Sequence, residues 1–436
     1  MNKQECAIKY VEDNYLQFNR LRHDIIADKL QVRCAHPIGD RLEAKGERQE
    51  QWREMTKHDI NSIVCHAAQE YDANITSREV MTALQSDLIP DVHPLREYVL
   101  SCGEWTEEQP DWIDWVASQV RVKPLGDEAK GDRAPQKSAD FSGTPLARGE
   151  RLWRGCFKKW FVAMVASWMK DEVVNHQVLV LIGKQGIFKT TWLEHLIPPH
   201  LRAYACKLAN SNDLNKDERL RIAEFGLISL DEIDSMNNRE LNQLKSVITA
   251  TDVNERAAYA YTKERRVRLA SFCASGNRRD FLTDITGNRR WLPFEVESIQ
   301  SPFTTILPYE RMYAQAWALA QDPLFSYWFD LEEIEVLEQH NQYFRDESNE
   351  EQLLPILFDV PAEDRGEFMT TAQISERLVT YGNIKKPMAL SRLGMVLGAA
   401  GYRSTRPKIG GRLIRGWLVY QRDTDEVASL RRLLKE

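Results

Sequence analysis

The stretch VLVLIGKQGIFKTT, at residues 178–191, has the residue types needed to bind the phosphates of a nucleotide. It comprises an apolar strand, a loop with two glycines, and a Lys-Thr-Thr that opens a helix. Gly183 and Gly186 would give a bendable backbone whose N–H groups converge on phosphate oxygens. Lys189 would neutralise the β and γ charge, and Thr190 would bring a hydroxyl to magnesium. The competing interpretation is an ordinary strand-turn-helix whose lysine is a solvated surface charge.

The loop departs from the strict phosphate-binding pattern G-x-x-x-x-G-K-S/T at Phe188, where glycine is expected. A side chain is tolerated at this position if the residue has a negative φ or if the ring points away from the phosphates. The departure therefore weakens the motif without abolishing it. The predicted nucleotide-binding residues are Gly183, Gln185, Gly186, Lys189, Thr190 and Thr191.

The segment FGLISLDEID, at residues 225–234, is an apolar strand that ends in carboxylates. The C-terminal ends of buried parallel strands are where the ligands of such sheets bind. We expect Asp231 to hold Mg²⁺ through water, together with Thr190. We expect Glu232 to polarise the water that attacks the γ-phosphate. The alternative is a strand followed by a helix-capping Asp, which is the role we expect for Asp234.

Polar residues farther along the chain complete the predicted catalytic set. VRLASFCASGN ends in Asn277, whose amide could orient the lytic water or contact the γ-phosphate. TDITGNRRWLPFEV follows and contains the adjacent Arg289 and Arg290. These two could be structural salt-bridge partners, or arginine fingers that stabilise charge on the γ-phosphate of a neighbouring subunit. The predicted catalytic residues are Lys189, Asp231, Glu232, Asn277, Arg289 and Arg290.

Alternating strands and helices between residues 176 and 296 must position these side chains. The alternation predicts an α/β fold with a parallel sheet and helices on both faces. The preceding helix, RLWRGCFKKWFVAMVASWMK, has an aromatic stripe that we expect to be core rather than a stacking platform. The predicted domains are residues 1–122 (helical), 123–150 (a linker rich in Gly, Pro, Ser and charge), 151–330 (the α/β core), 331–367 (a helical connector) and 368–436 (a small C-terminal domain).

The 436 residues have the composition of a globular protein, with 43% hydrophobic and 28% charged residues. No apolar run is long enough to span a membrane, and the N-terminus lacks the layout of a secretion signal. We therefore predict a cytoplasmic protein without a membrane partner. The formal net charge of −7 excludes a protein coated with basic surface. Any contact with nucleic acid must come from a local patch.

Such a patch lies between residues 384 and 422, where lysines and arginines accumulate without one acidic residue. Two helical segments, TTAQISERLVTYG and MALSRLGMVLGAAGY, precede RPKIGGRLIRGWLVYQ, which predicts two strands around Gly410 and Gly411. This order looks like a winged helix, whose second helix can enter a major groove while the wing touches phosphates. A protein-docking module is the alternative. The predicted DNA contacts here are Arg406, Lys408, Arg412 and Arg415.

The segments GKQGIFKTT, LISLDEID, SFCASGN and TGNRRWLPFEV, in this order and at these spacings, resemble the virulence-associated protein E (VapE/VirE) family. Members of that family are ATPases of phages and mobile elements and are similar to superfamily 3 helicases. The resemblance implies a P-loop NTPase core of the additional-strand AAA+ type, with ATP and Mg²⁺ as cofactors. It also implies a ring-shaped homo-oligomer, usually a hexamer, and ATP-driven movement on single-stranded or forked DNA during replication of the element.

The resemblance further implies a β-hairpin that touches DNA in the channel of the ring. It falls on NERAAYAYTKERRVRLA, where AAYAY and RVRLA could be strands and residues 262–265 lie near the turn. A basic tip suits a phosphate backbone, and Tyr259 or Tyr261 could stack on bases. An exposed hairpin with ordinary solubilising charge is the alternative. The predicted DNA contacts in this segment are Lys263, Arg265 and Arg266.

These motifs are compatible with three classes of function. The leading hypothesis is a DNA-dependent ATPase that serves as the replicative helicase of a phage or mobile genetic element. The alternative is a nucleotide-gated initiator or oligomeric switch that binds DNA without processive unwinding. A small-molecule kinase shares the phosphate loop but needs neither a basic winged helix nor a DNA-binding hairpin. No paired-carboxylate priming motif is recognisable before the linker, so we expect any primase to be a separate protein.

Overall fold

Buried apolar residues form separate clusters along the chain. The computed structural model describes residues 1–34, 51–124, 148–208, 222–255, 264–283, 288–362, 366–423 and 427. Within these residues, two clusters lie on the two faces of a central sheet, one lies in the N-terminal region, and one lies in the C-terminal region. The central sheet positions most of the predicted catalytic residues.

The N-terminal region is a mixed α/β unit, which corrects the helical domain predicted for residues 1–122. Its elements are α1 (Lys3–Val11), β1 (Leu21–Asp24), β2 (Lys29–Cys34), β3 (Gln51–Glu54), α2 (Lys57–Glu70), α3 (Ser77–Leu84) and β4 (Asp91–Val92). The strands form one sheet in the order β3-β2-β1-β4, in which β1 and β4 are parallel and the other neighbours are antiparallel. The alternation in KLQVRC is that of a half-buried strand, but it is too short to stand out beside the helical periodicity of α2 and α3.

Three further elements pack with the central core although they precede residue 123. They are α4 (Pro94–Ser101), α5 (Trp112–Ala117) and β5 (Val120–Val122). Leu95, Ile113 and Val120 are fully buried in the same cluster as the tryptophans of the helix that follows. These elements therefore extend the core towards the N-terminus.

The central sheet has six strands in the order β5-β12-β6-β11-β8-β7. The elements of this part of the chain are α6 (Arg148–Met169), β6 (Val178–Ile182), α7 (Lys189–Glu194), β7 (Ala205–Leu208), β8 (Leu227–Leu230), α8 (Asn238–Thr249), β9 (Asp252–Glu255), β10 (Glu264–Val267), β11 (Ser271–Gly276), β12 (Trp291–Ile299), α9 (Tyr309–Gln321) and α10 (Leu331–Asn341). β5 is antiparallel to β12, and all other neighbours are parallel. Helices α6 and α9 pack on one face and α8 packs on the other, which confirms the predicted parallel sheet with helices on both faces.

The aromatic stripe of α6 is core, as predicted. Trp153, Trp160 and Trp168 are fully buried. The indole N–H of Trp160 donates to the carbonyl oxygen of Phe272 in β11 at 3.1 Å. Because each ring fills the space between α6 and the sheet, the stripe fixes the helix on the face of the strands that carry the candidate site.

The C-terminal region has its own core, to which residues of the predicted connector also contribute. Its elements are α11 (Asn349–Leu357), β13 (Phe358–Asp359), β14 (Glu367–Met369), α12 (Thr371–Gly382), α13 (Leu390–Ala399), β15 (Arg403–Thr405), β16 (Lys408–Ile409), β17 (Arg412–Leu413) and β18 (Gly416–Gln421). The two predicted helices are present as α12 and α13, and β16 and β17 form the predicted hairpin. Gly410 and Gly411 have φ of 56° and 81°, the left-handed values that a tight two-residue hairpin turn requires.

Candidate functional site

Lys189 is a buried residue at the first position of α7, directly after the glycine loop. Its side chain is 7% exposed. The ammonium donates to the carbonyl oxygens of Gly183 and Lys184, both at 2.7 Å, and to the amide oxygen of Asn277 at 3.4 Å. Burial lowers the pKa of Lys189, while the carboxylates of Asp234 and Asp231 act in the opposite direction. This placement excludes the interpretation of Lys189 as a solvated surface charge.

Phe188 occupies the glycine position of the loop in a conformation that glycine would favour. Its φ is +67°, in the left-handed region, and the residue immediately precedes α7. The side chain is 37% exposed, and its ring lies 6.0 Å from the ring of Phe303 in an edge-to-face arrangement. The backbone therefore adopts the glycine-like turn, and the ring points away towards solvent and Phe303.

Gly183 is required by the close approach of β12. Its φ is +157°, and a Cβ there would lie 2.8 Å from the carbonyl oxygen of Val296. Its N–H donates to the carbonyl oxygen of Gly276 at the end of β11, at 3.1 Å. The start of the loop is thus held between the two strands that flank β6.

A network of oxygen atoms joins the ends of β8 and β11 to the start of α7. The carboxylate of Asp231 accepts hydrogen bonds from the hydroxyls of Ser275, at 2.8 Å, and Thr190, at 3.2 Å. The two hydroxyls lie 2.8 Å apart. Because β11 lies between β6 and β8 in the sheet, its last residues reach both the loop and the acidic strand. The predicted pair Thr190 and Asp231 is brought together by this arrangement.

Lys207, near the end of edge strand β7, pairs with the other oxygen of Asp231. The ammonium and the carboxylate are 2.7 Å apart. Burial raises the pKa of Asp231, but the hydrogen bonds from Lys207, Ser275 and Thr190 outweigh it and leave the pKa lowered. The hydrogen bond with Asp231 raises the pKa of Lys207. Asp231 is therefore held as a carboxylate.

The carboxylates that follow Asp231 differ in their surroundings. Glu232 is exposed and has a φ of +52°, and it begins a short helical turn at Ile233–Ser235. Asp234 accepts hydrogen bonds from the backbone N–H groups of Asn277 and Arg278, both at 3.1 Å. Asp234 therefore anchors the tip of the neighbouring strand β11, rather than capping a helix of its own segment as expected.

Arg289 and Arg290 lie at the amino ends of the parallel strands, whereas the loop lies at their carboxyl ends. They end a short helical turn, Asn288–Arg290, just before β12. β12 runs parallel to β6 with Trp291 opposite Val178, whereas the loop follows the last residue of β6. The arginines are consequently separated from the loop by the length of β6, roughly 15 Å. Burial lowers the pKa of Arg290, and the neighbouring Arg289 lowers it further. The structure does not bring the two arginines to the loop of the same chain.

The predicted DNA hairpin falls partly on the described residues. β9 and β10 form an antiparallel pair, so residues 264 and 265 belong to a strand rather than the turn, whereas the predicted strand AAYAY lies outside the described residues. Residues 256–263, with Lys263 and the two tyrosines, lie outside the described residues, and for Arg265 only its place in β10 is described. The guanidinium of Arg266 lies 3.3 Å from the carboxylate of Asp28 and 3.8 Å from that of Glu224. Arg266 thus makes ion pairs within the chain, at the base of the hairpin.

The four predicted C-terminal DNA contacts are all exposed. They are Arg406, Lys408, Arg412 and Arg415. They lie on or beside the β16-β17 hairpin. Helix α13 differs from the helix expected to enter a groove, because Leu390 and Met395 are its exposed large side chains and Arg392 donates to the carbonyl oxygen of Thr283 at 3.3 Å. The predicted contacts are thus exposed on or beside the hairpin rather than on α13.

Sequence reasoning missed Ser275 and Lys207. Ser275 lies two residues before Asn277, in a strand whose residues are all buried. A hydroxyl close to the carboxyl end of a buried strand was a signal that could have identified it. Lys207 is the penultimate residue of a short edge strand, and its partner Asp231 directly follows β8, which is separated from that strand by 18 residues of chain. Strand order, which the sequence does not state, brings these two together.

Two negative findings concern the described residues. None of the helices there combines the length and apolar composition needed to cross a bilayer. No group of three or more His, Cys, Asp or Glu side chains within those ranges could hold a metal ion.

Comparisons with known proteins identify the family of the chain. No curated protein matches the sequence. Among solved structures, the apo C-terminal region of NrS-1 (305–718) is similar with a TM-score of 0.41 and 11% identity, covering 95% of this chain and 99% of that one. The A form of the apo C-terminal region of NrS-1 is similar with a TM-score of 0.40 and 11% identity, covering 93% of this chain and 98% of that one. These scores describe a loose likeness, from which neither fold nor activity is inferred. The family model of the virulence-associated protein E-like domain matches residues 132–350, half of the chain, and the protein therefore belongs to that family.

Proposed function

We propose that the protein is a DNA-dependent ATPase that acts as the replicative helicase of a phage or mobile genetic element. The observation that carries the proposal is the junction of three chain segments at one sheet edge. There the buried ammonium of Lys189 lies beside the hydroxyl and carboxylate network of Thr190, Ser275 and Asp231. A cation and oxygen ligands converging at the carboxyl ends of parallel strands suit the phosphates of a nucleotide.

ATP is the proposed substrate of this site. The ammonium of Lys189 is held by carbonyl oxygens of the loop, and it can turn towards β- and γ-phosphate oxygens that the loop N–H groups bind. The backbone of Phe188 supports this role, because its left-handed turn reproduces the conformation that glycine gives such loops. Gln185, Gly186 and Thr191 complete the proposed nucleotide-binding set.

The donor set of the site fits Mg²⁺. Thr190 and Asp231 offer oxygen ligands 3.2 Å apart, and Mg²⁺ prefers oxygen. Because no group of acidic, His or Cys side chains in the described ranges could hold a metal alone, phosphate oxygens and water would complete its shell. When bound, Mg²⁺ would neutralise charge on the β- and γ-phosphates. The ammonium of Lys207 must leave the second oxygen of Asp231 if that oxygen is to accept a metal-bound water.

Glu232 and Asn277 are the proposed partners of the lytic water. Glu232 is exposed next to Asp231, so its carboxylate is free to face a water beyond the γ-phosphate. The amide oxygen of Asn277 already approaches the ammonium of Lys189, at 3.4 Å. The tip that carries Asn277 is fixed by Asp234 through two backbone hydrogen bonds. This anchoring supports a positioning role for Asn277.

The topology of the sheet supports an AAA+-like assembly. β11 is an additional strand between the strand of the loop and the strand that ends in Asp231, as the additional-strand core requires. Arg289 and Arg290, at the amino ends of the parallel strands, cannot reach the nucleotide of their own chain. A neighbouring chain in a homo-oligomeric ring would bring its own nucleotide to them, and we propose a hexamer in which they act as arginine fingers.

DNA is the proposed polymer substrate. The exposed cations of the β16-β17 hairpin, at Lys408 and Arg412, suit phosphate contacts of a winged helix. The second proposed DNA contact is the segment of the chain that joins β9 to β10 and contains Lys263. The exposed apolar side chains of α13 offer no hydrogen bonds to base edges, which favours binding without sequence preference. Any primase would be a separate partner.

The test is ATP hydrolysis by the full chain with and without single-stranded DNA. Lys189→Ala should abolish hydrolysis, because it removes the ammonium that neutralises the phosphates, whereas Glu232→Gln should keep ATP binding and block turnover. Hydrolysis by Lys189→Ala at the wild-type rate would refute the proposed site. Multiple-turnover unwinding of a forked substrate separates the helicase from the alternative, an initiator or switch that hydrolyses ATP and binds DNA without processive unwinding.

A further inference from the structure

Aromatic rings gather on the outer side of α7, next to the loop. The ring of Phe303 is 73% exposed and lies 6.0 Å from that of Phe188 and 5.9 Å from that of His195. It stands nearly perpendicular to both, at 82° and 85°. Single exposed aromatic rings are ordinary, whereas adjoining exposed apolar side chains can mark a ligand-binding surface.

The segment that carries Phe303 is held in place at both ends. The N–H of Thr304 donates to the carbonyl oxygen of Ser301 at 3.2 Å and closes a turn with Phe303 inside it. Downstream, the hydroxyl of Tyr309 donates to the carbonyl oxygen of His195 at 2.7 Å. The exposed ring therefore stands on a segment tied directly to the end of α7.

Hydrogen bonding determines which nitrogen of His195 carries the proton. Its Nδ1 lies 2.7 Å from the carbonyl oxygen of Thr191, and a carbonyl oxygen only accepts. Nδ1 must therefore be the donor, which leaves Nε2 of the neutral ring as an acceptor. Adenine carries an amino group that can donate to such an acceptor, whereas the corresponding position of guanine or hypoxanthine is a carbonyl oxygen.

We propose that Phe188, Phe303 and His195 form a nucleobase site that stacks an adenine ring and accepts a hydrogen bond from its amino group. The inference rests on the proposed function, in which the loop binds the phosphates of ATP. Phe188 is adjacent to Lys189 in the chain, and the proposal places the nucleoside of a nucleotide bound by the loop beside its ring. The left-handed backbone of Phe188 turns that ring out of the loop and towards Phe303, giving the aromatic residue at a glycine position a use.

Equilibrium binding of ATP and of inorganic tripolyphosphate to the full chain, both with Mg²⁺, tests the stacking. Phe303→Ala should weaken ATP about 5- to 150-fold, the range for loss of one base–aromatic stack, and leave tripolyphosphate unchanged. The matched control is Trp328→Ala, because Trp328 is also exposed, at 62%, and lies outside the cluster. The inference would be overturned if Phe303→Ala weakened the binding of ATP and tripolyphosphate equally, or if it left the affinity for ATP unchanged.

The same experiment distinguishes failure of the base site from failure of the phosphate site. Wild type that binds tripolyphosphate as tightly as ATP would retain the phosphate site and overturn the base site. Wild type that binds neither ligand would overturn both. If Phe303→Ala alters self-association measured by sedimentation while the ratio of the two affinities stays unchanged, the cluster is a subunit contact and the inference is wrong.

A second comparison tests the hydrogen bond to His195. ITP carries hypoxanthine, which keeps the two-ring stack but replaces the amino group with a carbonyl. Wild type should prefer ATP over ITP by about 3- to 10-fold, the range for one neutral hydrogen bond, and His195→Phe should lose that preference while retaining tripolyphosphate binding. Equal affinities of wild type for ATP and ITP would overturn the role of His195.

Discussion

Replacement of Phe188 by glycine and by alanine separates the strain of its backbone from the contacts of its ring. Both changes remove the edge-to-face contact with Phe303. An aromatic pair of this kind contributes about 0.5–1.5 kcal/mol, and the exposure of both rings places the contact at the lower end. The two variants differ in the cost of a φ of +67°, which is about 1–2 kcal/mol for alanine and absent for glycine.

The difference in unfolding free energy between the two variants also depends on the unfolded state. Glycine gives the unfolded chain more freedom, which costs the folded protein about 0.4–1 kcal/mol relative to alanine. When this entropy cost of glycine is subtracted from the backbone strain of alanine, Phe188→Gly is expected to be more stable than Phe188→Ala by about 0.5–1 kcal/mol. Phe188→Ala should be less stable than wild type, and Phe188→Gly should be close to it.

Urea unfolding of the nucleotide-free protein, followed by tryptophan fluorescence, measures this difference. Trp192 is buried one turn after Phe188 and lies in the same core as the tryptophans of α6, so the signal reports the region concerned. The control is Gln243, an exposed residue inside α8, where glycine should be less stable than alanine by about 1 kcal/mol. Phe188→Ala equal to or more stable than Phe188→Gly would refute the left-handed conformation.

The remaining predictions concern DNA and assembly. Replacing Lys408 and Arg412 together by alanine should flatten the log–log salt dependence of duplex affinity by about 1.8, at about 0.9 per phosphate contact, while basal ATP hydrolysis is unchanged. Fluorescence anisotropy at several salt concentrations measures this slope. The control is a double alanine variant at the exposed lysines of α1, which should leave the slope unchanged. A slope unchanged in the hairpin variant would indicate that the hairpin docks a protein rather than DNA. Mixing Arg289→Ala with Glu232→Gln subunits should restore hydrolysis, because an intact Glu232 then faces an intact arginine. No rescue in rings that exchange subunits would contradict a finger acting between chains.

The loop and the acidic strand could be predicted because their signals are local. An apolar run, two glycines and a Lys-Thr-Thr fit within the 14 residues of a strand, a turn and the start of a helix. Parallel strands place their carboxyl ends at one end of the sheet, so the contact between Thr190 and Asp231 followed from the fold class. The conformation of Phe188 could not be predicted, because the sequence allows either a negative φ or a ring that points away from the phosphates.

The parts of the site that sequence did not provide depend on strand order and register. Ser275 reaches both Thr190 and Asp231 because β11 is inserted between β6 and β8. Lys207 reaches Asp231 because β7 is the neighbour of β8 at the sheet edge. Neither adjacency follows from the order of the strands along the chain. The N-terminal strands were missed for another reason, since short, charged strands have weak periodicity.

The position of the arginines connects the proposed chemistry to assembly. Asn277 and Arg289 are close in sequence, yet they lie at opposite ends of the parallel strands. Asn277 follows the carboxyl end of β11, whereas Arg289 precedes the amino end of β12. A charge roughly 15 Å away across a packed sheet cannot compensate the γ-phosphate of its own chain. If these arginines take part in hydrolysis, two copies of the chain must share each site. The proposed ATPase would then be active only as an assembly, and its turnover would depend on how subunits face one another on DNA.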